Sequence, residues 1–129
     1  MHSPKFDWAK YLALAEQLAQ RHGDEAAQRA AISRAYYAMY CSARNKLESW
    51  QLHDRNKTTK TPHADVWEVF EEDSRTTWIL LGQLGNSLKG NRVTADYEDE
   101  IRDIERLTRG AIRQAKKLNS ALRNLSYWG

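Results

Sequence analysis

The chain has few of the residues that cross-link a protein or interrupt its regular structure. Its 129 residues include one cysteine, Cys41, and two prolines. A single cysteine excludes a framework of internal disulfides, and its place in an apolar helical pattern indicates a small buried side chain. We therefore expect a protein that folds by burying apolar side chains and that works in a reducing compartment.

Long apolar runs and ligand motifs are also missing. No run approaches the roughly 18 apolar residues that a membrane span needs, and nothing after Met1 resembles a signal peptide, so we expect a cytoplasmic protein without membrane contact. The histidines at positions 2, 22, 53 and 63 follow no metal-ligand spacing, and no glycine-rich phosphate loop occurs. We expect no metal and no cofactor, and nucleoside triphosphatase chemistry is excluded.

The residues that are present favour one helical domain over positions 1–129. Hydrophobic residues make up 41% of the chain and charged residues 29%, which is enough apolar material for a core. The net charge is only +3, so charge alone does not indicate a nucleic-acid partner. Apolar positions recur every three or four residues in five segments, and no segment alternates apolar and polar residues as a strand would.

These periodicities predict an all-α fold, an antiparallel up-down bundle of four main helices plus one short helix. A polar loop is expected at about residues 51–62, and glycines 82, 85 and 90 are expected to loosen the fourth helix. The predicted helices run from Pro4 to Arg21, from the cap Asp24 to about Trp50, from Pro62 after the cap Thr61, from Thr76 to Lys89, and from Asp96 to about Leu125.

One junction gathers polar side chains. Arg92, Asp96 and Tyr97 lie between the last two predicted helices, within about two helical turns. In a structural interpretation, Asp96 caps the last helix and Arg92 interacts with the dipole of the helix before it. In a functional interpretation, the same cation, carboxylate and phenol form an anion-binding site. The residue pattern alone leaves both interpretations open.

The second predicted helix carries a polar and aromatic strip. Arg34, Tyr37 and Tyr40 recur at spacings of three on this alanine-rich helix. The tyrosines either fill the bundle with their hydroxyls at its rim or line a site. His63, at the start of the third helix, is either a surface residue or a further member of such a site. The Tyr127-Trp128 tail either covers the end of the bundle or contacts another subunit.

A ladder of basic residues follows the last predicted helix at spacings of three and four. Such a ladder matches the charge pattern that a phosphate backbone requires. Four nearby acids, Glu98, Asp99, Asp103 and Glu105, are close enough in sequence to pair with it, which favours an ordinary solvated face. The ladder consists of Arg102, Arg106, Arg109, Arg113 and Lys116 or Lys117.

Three motifs in order resemble the HEPN superfamily of small helical domains. They are the helical Ser-Arg-Ala-Tyr-Tyr-Ala-x-Tyr at Ser33 to Tyr40, the helix-start His63, and Arg-x-x-Ala-Asp-Tyr at Arg92 to Tyr97. The pattern is most similar to that of an uncharacterised prokaryotic HEPN family, and the resemblance covers roughly residues 5–122. It implies an up-down four-helix bundle that forms homodimers, with a cleft where the two copies of the junction face each other.

Many HEPN proteins are metal-independent endoribonucleases that act as toxins or antiviral effectors, with a signature of Arg, four to six residues, and His. This chain departs from that signature, because Tyr97 to Asp99 follow Arg92 at those positions and no histidine occurs after His63. Tyrosine, with a pKa near 10, is a poor base at neutral pH, whereas Asp96 is able to act as a base and Arg92 to stabilise a phosphorane.

Three functions remain after the resemblance is included. The leading hypothesis is a homodimeric module that binds RNA or a nucleotide through Arg92, with Asp96, Tyr97, Arg34, Tyr37 and His63 as the other site residues. The resemblance also implies a toxin–antitoxin or defence-type setting, with a nucleotidyltransferase or antitoxin as partner. The alternatives are a metal-independent endoribonuclease that uses Arg92, Asp96 and Tyr97, and a purely structural protein-interaction module.

Overall fold

In the part of the chain that the structure describes, five α-helices form a helical bundle. The computed structural model describes residues 5–57 and 62–128, except for the side chains of residues 62–65. No strand occurs in these two ranges, so the predicted all-α class is confirmed there. The helices are α1 (Lys10–Ala19), α2 (Glu25–Ser49), α3 (Pro62–Glu71), α4 (Thr76–Tyr97) and α5 (Ile104–Asn124).

The long helix α2 is the centre of the bundle. It starts as predicted, because the side chain of the N-cap Asp24 accepts a hydrogen bond of 3.1 Å from the backbone N–H of Ala27. Helix α2 packs against each of the other four helices, α1 and α4 also contact α5, and α3 lies on α4. The largest fully buried side chains include Tyr36, Met39, Trp67, Phe70, Trp78, Leu88 and Leu118.

The predicted end of the fourth helix at Lys89 is wrong, since α4 continues to Tyr97. Gly90 does not end the helix because it lies on the exposed side, where nothing approaches within 4 Å of an added Cβ atom. The buried stripe instead continues past Gly90 at helical spacings of three and four. Its members are Trp78, Leu81, Gly85, Leu88, Arg92 and Ala95.

The predicted start of the last helix at Asp96 is also wrong. Helix α5 begins at Ile104, and its N-cap is Asp103, whose side chain accepts from the backbone N–H of Arg106 at 3.1 Å. Asp96 and Asp103 are both suitable capping residues. Asp103 is the N-cap because the apolar stripe of α5 follows it. The interpretation of Asp96 as a helix cap is therefore wrong, because Asp96 lies in the last turn of α4.

Helix α1 is shorter than predicted, since it begins at Lys10 and not near Pro4. Residues 5–9 lie outside the helix, where the rings of Phe6, Trp8 and Tyr11 pack edge to face. Trp8 lies before the helix but continues its apolar spacing, which explains why the helix was predicted to begin too early. Within the described ranges, no helix is long and apolar enough to cross a membrane.

Two of the three glycines that were expected to loosen α4, Gly82 and Gly85, instead lie at close packing contacts. A Cβ atom at Gly85 would lie 2.3 Å from the Trp67 ring, and one at Gly82 would lie 2.8 Å from the Trp67 carbonyl oxygen. The absence of side chains at these two positions thus lets α3 lie directly on α4. This contact fixes the position of Trp67.

The structure describes the first part of the segment that was expected to be a loop. Residues 51–57 are irregular, as predicted, and Arg55 holds them to α2 through hydrogen bonds of 2.8 and 3.1 Å to Glu48. The rest of the predicted loop, with the proposed cap Thr61, lies outside the described residues. Helix α3 begins at Pro62, as the sequence predicted.

Candidate functional site

Arg92 occupies a core position of α4, where an apolar side chain would be expected. Only 9% of the residue is exposed. Its Cζ atom lies 5.4 Å from the ring centroid of Tyr36 and 5.6 Å from that of Tyr37, so two rings of α2 hold the guanidinium group. A cation that is removed from water in this way is stabilised by the rings by about 2 kcal/mol.

The bond between Arg92 and its carboxylate is loose. The Nη1 of Arg92 donates to Asp96 Oδ2 at 3.4 Å, whereas a charge-assisted hydrogen bond is usually shorter than about 3 Å. The hydroxyl of Ser33 also donates to Asp96 Oδ2, at 3.5 Å. Both contacts position the carboxylate at the partly exposed edge of the cluster without engaging it tightly.

The guanidinium of Arg92 has donors that the described part of the chain does not use. Among those residues, Asp96 is the one hydrogen-bond acceptor for it, and the buried Nε has no partner. A guanidinium has five N–H donors, and a buried charged group that is incompletely paired costs stability. This arrangement is unfavourable for a purely structural ion pair and suits a group that binds an external anion.

Tyr36 connects this cluster to α3. The indole Nε1 of Trp67 donates to the Tyr36 hydroxyl at 3.0 Å. Burial raises the pKa of Tyr36 well above its ordinary value, so the phenol is neutral at physiological pH. Tyr36 therefore supplies a polar but uncharged floor beneath Arg92. We refer to Ser33, Tyr36, Tyr37, Arg92 and Asp96 as the Arg92 cluster.

Arg29 fixes the end of α4 that carries the cluster, and the sequence interpretation missed it. Its guanidinium donates to the carbonyl oxygens of Ala95 at 3.0 Å, Glu98 at 2.6 Å and Asp99 at 3.3 Å. Ala95 lies in the last turn of α4, where a helix leaves its carbonyls unpaired, and Glu98 and Asp99 directly follow the helix. A cation at this end also suits the helix dipole. The spacing of Arg29, Ser33 and Tyr36 by four and three residues places all three on one face of α2, which is the signal that was available.

The structure brings together only part of the predicted site. Arg92, Asp96 and Tyr37 lie in one cluster, but Tyr97 is 72% exposed at the end of α4. Arg34 is exposed as well, and its Cζ lies 5.3 Å from the ring of Tyr11 on α1, away from Arg92. His63 belongs to the first turn of α3, and its side chain lies outside the described residues.

The expected ion pairs of the basic ladder do not form in the described ranges. Glu105 binds His22 at 2.9 Å, and Asp103 serves as the cap of α5. Arg102 and Arg109 make no ion pair or side-chain hydrogen bond there, and neither do Arg106 and Arg113 through their side chains. Within the described residues, the ladder makes one salt bridge, which joins Lys116 to Glu16 on α1 at 3.1 Å.

The chemistry that the Arg92 cluster offers is that of one cation, one carboxylate, two phenols and the hydroxyl of Ser33. The described residues contain no group of three or more His, Cys, Asp or Glu side chains that could hold a metal ion. The cluster is able to stabilise an anion through Arg92 and to accept a hydrogen bond or a proton through Asp96.

Comparison with protein-family models, with curated proteins and with solved structures finds no match for this chain. The similarity to HEPN domains therefore stays a prediction from the residue pattern.

Proposed function

We propose that the Arg92 cluster binds a phosphate group of RNA or of a nucleotide, in a homodimeric helical module of HEPN type. The observation that supports this most is the buried guanidinium of Arg92, whose Nε has no partner among the described residues and which makes one long contact to a carboxylate there. A planar guanidinium with free donors suits phosphate, because the two groups match in geometry as well as in charge.

The fold is compatible with the same proposal. A central long helix with four neighbours suits an up-down HEPN bundle, and the motif at Ser33 to Tyr40 and the motif at Arg92 to Tyr97 contribute to one cluster. Two exposed apolar side chains, Val93 and Tyr97, lie one turn apart on α4 beside this cluster. In the proposed homodimer, this end of α4 faces its copy, and Tyr97 contributes to the cleft between the subunits. A nucleotidyltransferase or an antitoxin is the expected partner.

The competing enzymatic function uses the same atoms. Asp96 is partly exposed beside Arg92, so its carboxylate is placed where it could take the proton of a ribose 2′-hydroxyl while Arg92 stabilises the phosphorane. This arrangement would make the protein a metal-independent endoribonuclease. Cleavage of RNA in the presence of EDTA would be its direct evidence.

Arg92→Met separates a binding site from a structural clamp. Methionine keeps a flexible, unbranched side chain in the core but removes the guanidinium with its charge and all its donors. We expect affinity for a fluorescein-labelled RNA oligonucleotide, or for nucleoside monophosphates as competitors, to fall at least about tenfold. Stability should stay the same or increase by about 1 kcal/mol, because an incompletely paired buried charge is replaced by an apolar group. Fluorescence anisotropy in EDTA and urea unfolding are the two measurements.

Arg29→Met is the matched control, since it removes an arginine that binds Glu25 and the carbonyl oxygens at the end of α4 but makes no hydrogen bond or ion pair with the Arg92 cluster among the described residues. It should lose about 1–3 kcal/mol of stability and keep its affinity when assayed well below its melting temperature. Unchanged affinity in Arg92→Met together with a clear loss of stability would show that the cluster is structural. RNA fragments produced by the wild type but not by Arg92→Met would support the endoribonuclease. Sedimentation velocity of the same preparations tests the homodimer.

A further inference from the structure

From Arg106 to Arg123, the solvent side of α5 carries six basic residues and no acidic one. All 17 acidic residues of the chain lie outside positions 106–124. We call this surface the α5 ridge. Its members are Arg106, Arg109, Arg113, Lys116, Lys117 and Arg123.

The ridge faces away from the core. The buried residues of α5 are Thr108, Ala111, Ala115, Leu118 and Leu122, and the ridge residues recur on the opposite side of the helix. All six are exposed. The ridge spans roughly 25 Å, because each helical residue adds about 1.5 Å.

Few of these charges are neutralised by the protein itself. Within the described residues, Lys116 has the only ion pair of the ridge, a contact of 3.1 Å to Glu16. The acids that precede the ridge in sequence do not pair with it, since Asp103 caps α5 and Glu105 binds His22. Like charges at helical spacings of three and four repel one another, so the ridge lowers stability unless an anion covers it.

Concave surfaces flank the ridge on both sides. A cavity of about 480 Å³ between the end of α4 and α5 is bordered by Arg106 and Gly110, and one of about 450 Å³ between α1 and α5 is bordered by Arg109, Arg113 and Lys116. A flexible anionic chain that follows the ridge therefore has recesses beside the charges, into which its uncharged parts can fit.

The type of anion follows from what the ridge has and what it lacks. An amphipathic helix that binds a membrane inserts its apolar face, but the apolar face of α5 is buried against α1, α2 and α4. None of the exposed large hydrophobic side chains of the described chain lies on α5. One basic side chain per turn, mostly arginine, instead suits a polymer with a regularly repeated phosphate.

We propose that the α5 ridge binds the phosphodiester backbone of a nucleic acid without reading its sequence. This surface shares no residue with the Arg92 cluster, so it is a second contact region and does not depend on the proposed phosphate site. Mononucleotides would report on the Arg92 cluster, whereas a longer oligonucleotide would also reach the ridge.

The test is the salt dependence of oligonucleotide binding by the double variant Arg109→Gln/Arg113→Gln. For single strands, the slope of log affinity against log salt changes by about 0.7 for each phosphate contact, so we expect the slope to become shallower by about 1.4. Oligouridylate and oligothymidylate should show the same change, because only the backbone is bound. Fluorescence anisotropy over a series of KCl concentrations measures both.

Lys5→Gln/Lys10→Gln is the matched control, since it removes two exposed charges near α1 and leaves the ridge intact. It should keep the wild-type slope. The proposal is overturned if both double variants change the slope equally, or if the wild type does not bind either oligonucleotide. It is also overturned if polyglutamate competes as well as an oligonucleotide of equal charge, because the ridge would then fit an acidic protein. Binding of nucleoside monophosphates should be unaffected by the ridge variant.

Discussion

Tyr36 is the residue through which α3 and α4 meet at the candidate site. Its hydroxyl accepts the indole N–H of Trp67, and its ring lies beneath the guanidinium of Arg92. Because burial is the main cause of its raised pKa, the folded protein holds the phenol proton more tightly than the unfolded chain does. Stability that depends on neutral Tyr36 is therefore complete below the unfolded pKa near 10 and is lost as the pH rises above it.

Tyr36→Phe should make stability less dependent on alkaline pH. At neutral pH we expect a loss of about 1–3 kcal/mol, because the buried Trp67 N–H loses its acceptor. This difference from the wild type should shrink between about pH 9 and pH 11, where only the wild type must keep a buried phenol protonated. Urea unfolding across this range measures it, with the exposed Tyr97→Phe as control. A constant difference at every pH would contradict the assignment of the alkaline limb to Tyr36.

The site residues show which single positions the sequence could predict. Arg92 and Asp96 were found because polar side chains gather at one junction of the sequence, and Tyr37 because it lies on the polar and aromatic strip of the second predicted helix. Arg34 lies one turn before Tyr37 on α2, and Tyr97 follows Asp96 on α4, but both side chains lie on other surfaces than the Arg92 cluster. A helical spacing gives the face of a residue only relative to its own helix. Which neighbour covers that face depends on how α1, α2 and α4 pack, and no local pattern records it.

At the scale of helices, the contact between α3 and α4 depends on two positions without side chains. Gly85 lies against the Trp67 ring, and Gly90 lies one and a half turns later on the open side of the same helix. The two glycines have the same sequence context, a helix interior, but opposite surroundings. They therefore allow the packing effect of a methyl group to be separated from its effect on helix propensity.

Gly85→Ala should destabilise the protein, and Gly90→Ala should stabilise it. The new methyl group at position 85 would lie 2.3 to 2.5 Å from three atoms of the Trp67 ring, so the tryptophan must move, at a cost of about 1–3 kcal/mol or more. The methyl group at position 90 meets nothing within 4 Å and should add up to about 1 kcal/mol through helix propensity. Urea midpoints of both variants measure this, and equal shifts of the same sign would refute the packing argument.

The predicted helix boundaries are correct where a capping residue and an apolar stripe indicate the same position. They are wrong where these two signals indicate different positions. Asp24 and Pro62 each precede an apolar stripe, and both helices start there. Near the end of α4, the polar Arg92 occupies a stripe position and Gly90 resembles a terminator, so a helix break was inferred inside a continuous helix. The true break at Glu98 to Asp103 follows a helix end that Arg29 of α2 holds, which is a long-range contact.

At the scale of the whole molecule, one aromatic cluster covers an end of the bundle, and several separate segments of the chain contribute side chains to it. Trp50, just after α2, stacks on Trp78 of α4 at 5.6 Å, and Tyr127 from the tail packs on Trp50 at 5.6 Å. Arg75 lies over the Trp78 ring at 3.8 Å and donates to the Tyr127 carbonyl oxygen. Of the two expectations for the tail, folding back is therefore confirmed for Tyr127.

Tyr127 and Trp128 should differ sharply in what they contribute to stability, although they are adjacent aromatic residues. Tyr127→Ala removes a ring that covers Trp50, so we expect a loss of about 1–2 kcal/mol. Trp128 is 90% exposed, and Trp128→Ala should change stability by less than about 0.5 kcal/mol. Urea unfolding followed by circular dichroism measures both without relying on tryptophan emission. If Trp128→Ala instead lowers stability in a manner that depends on protein concentration, the exposed indole contacts a second subunit, and the tail then serves both the bundle and the dimer.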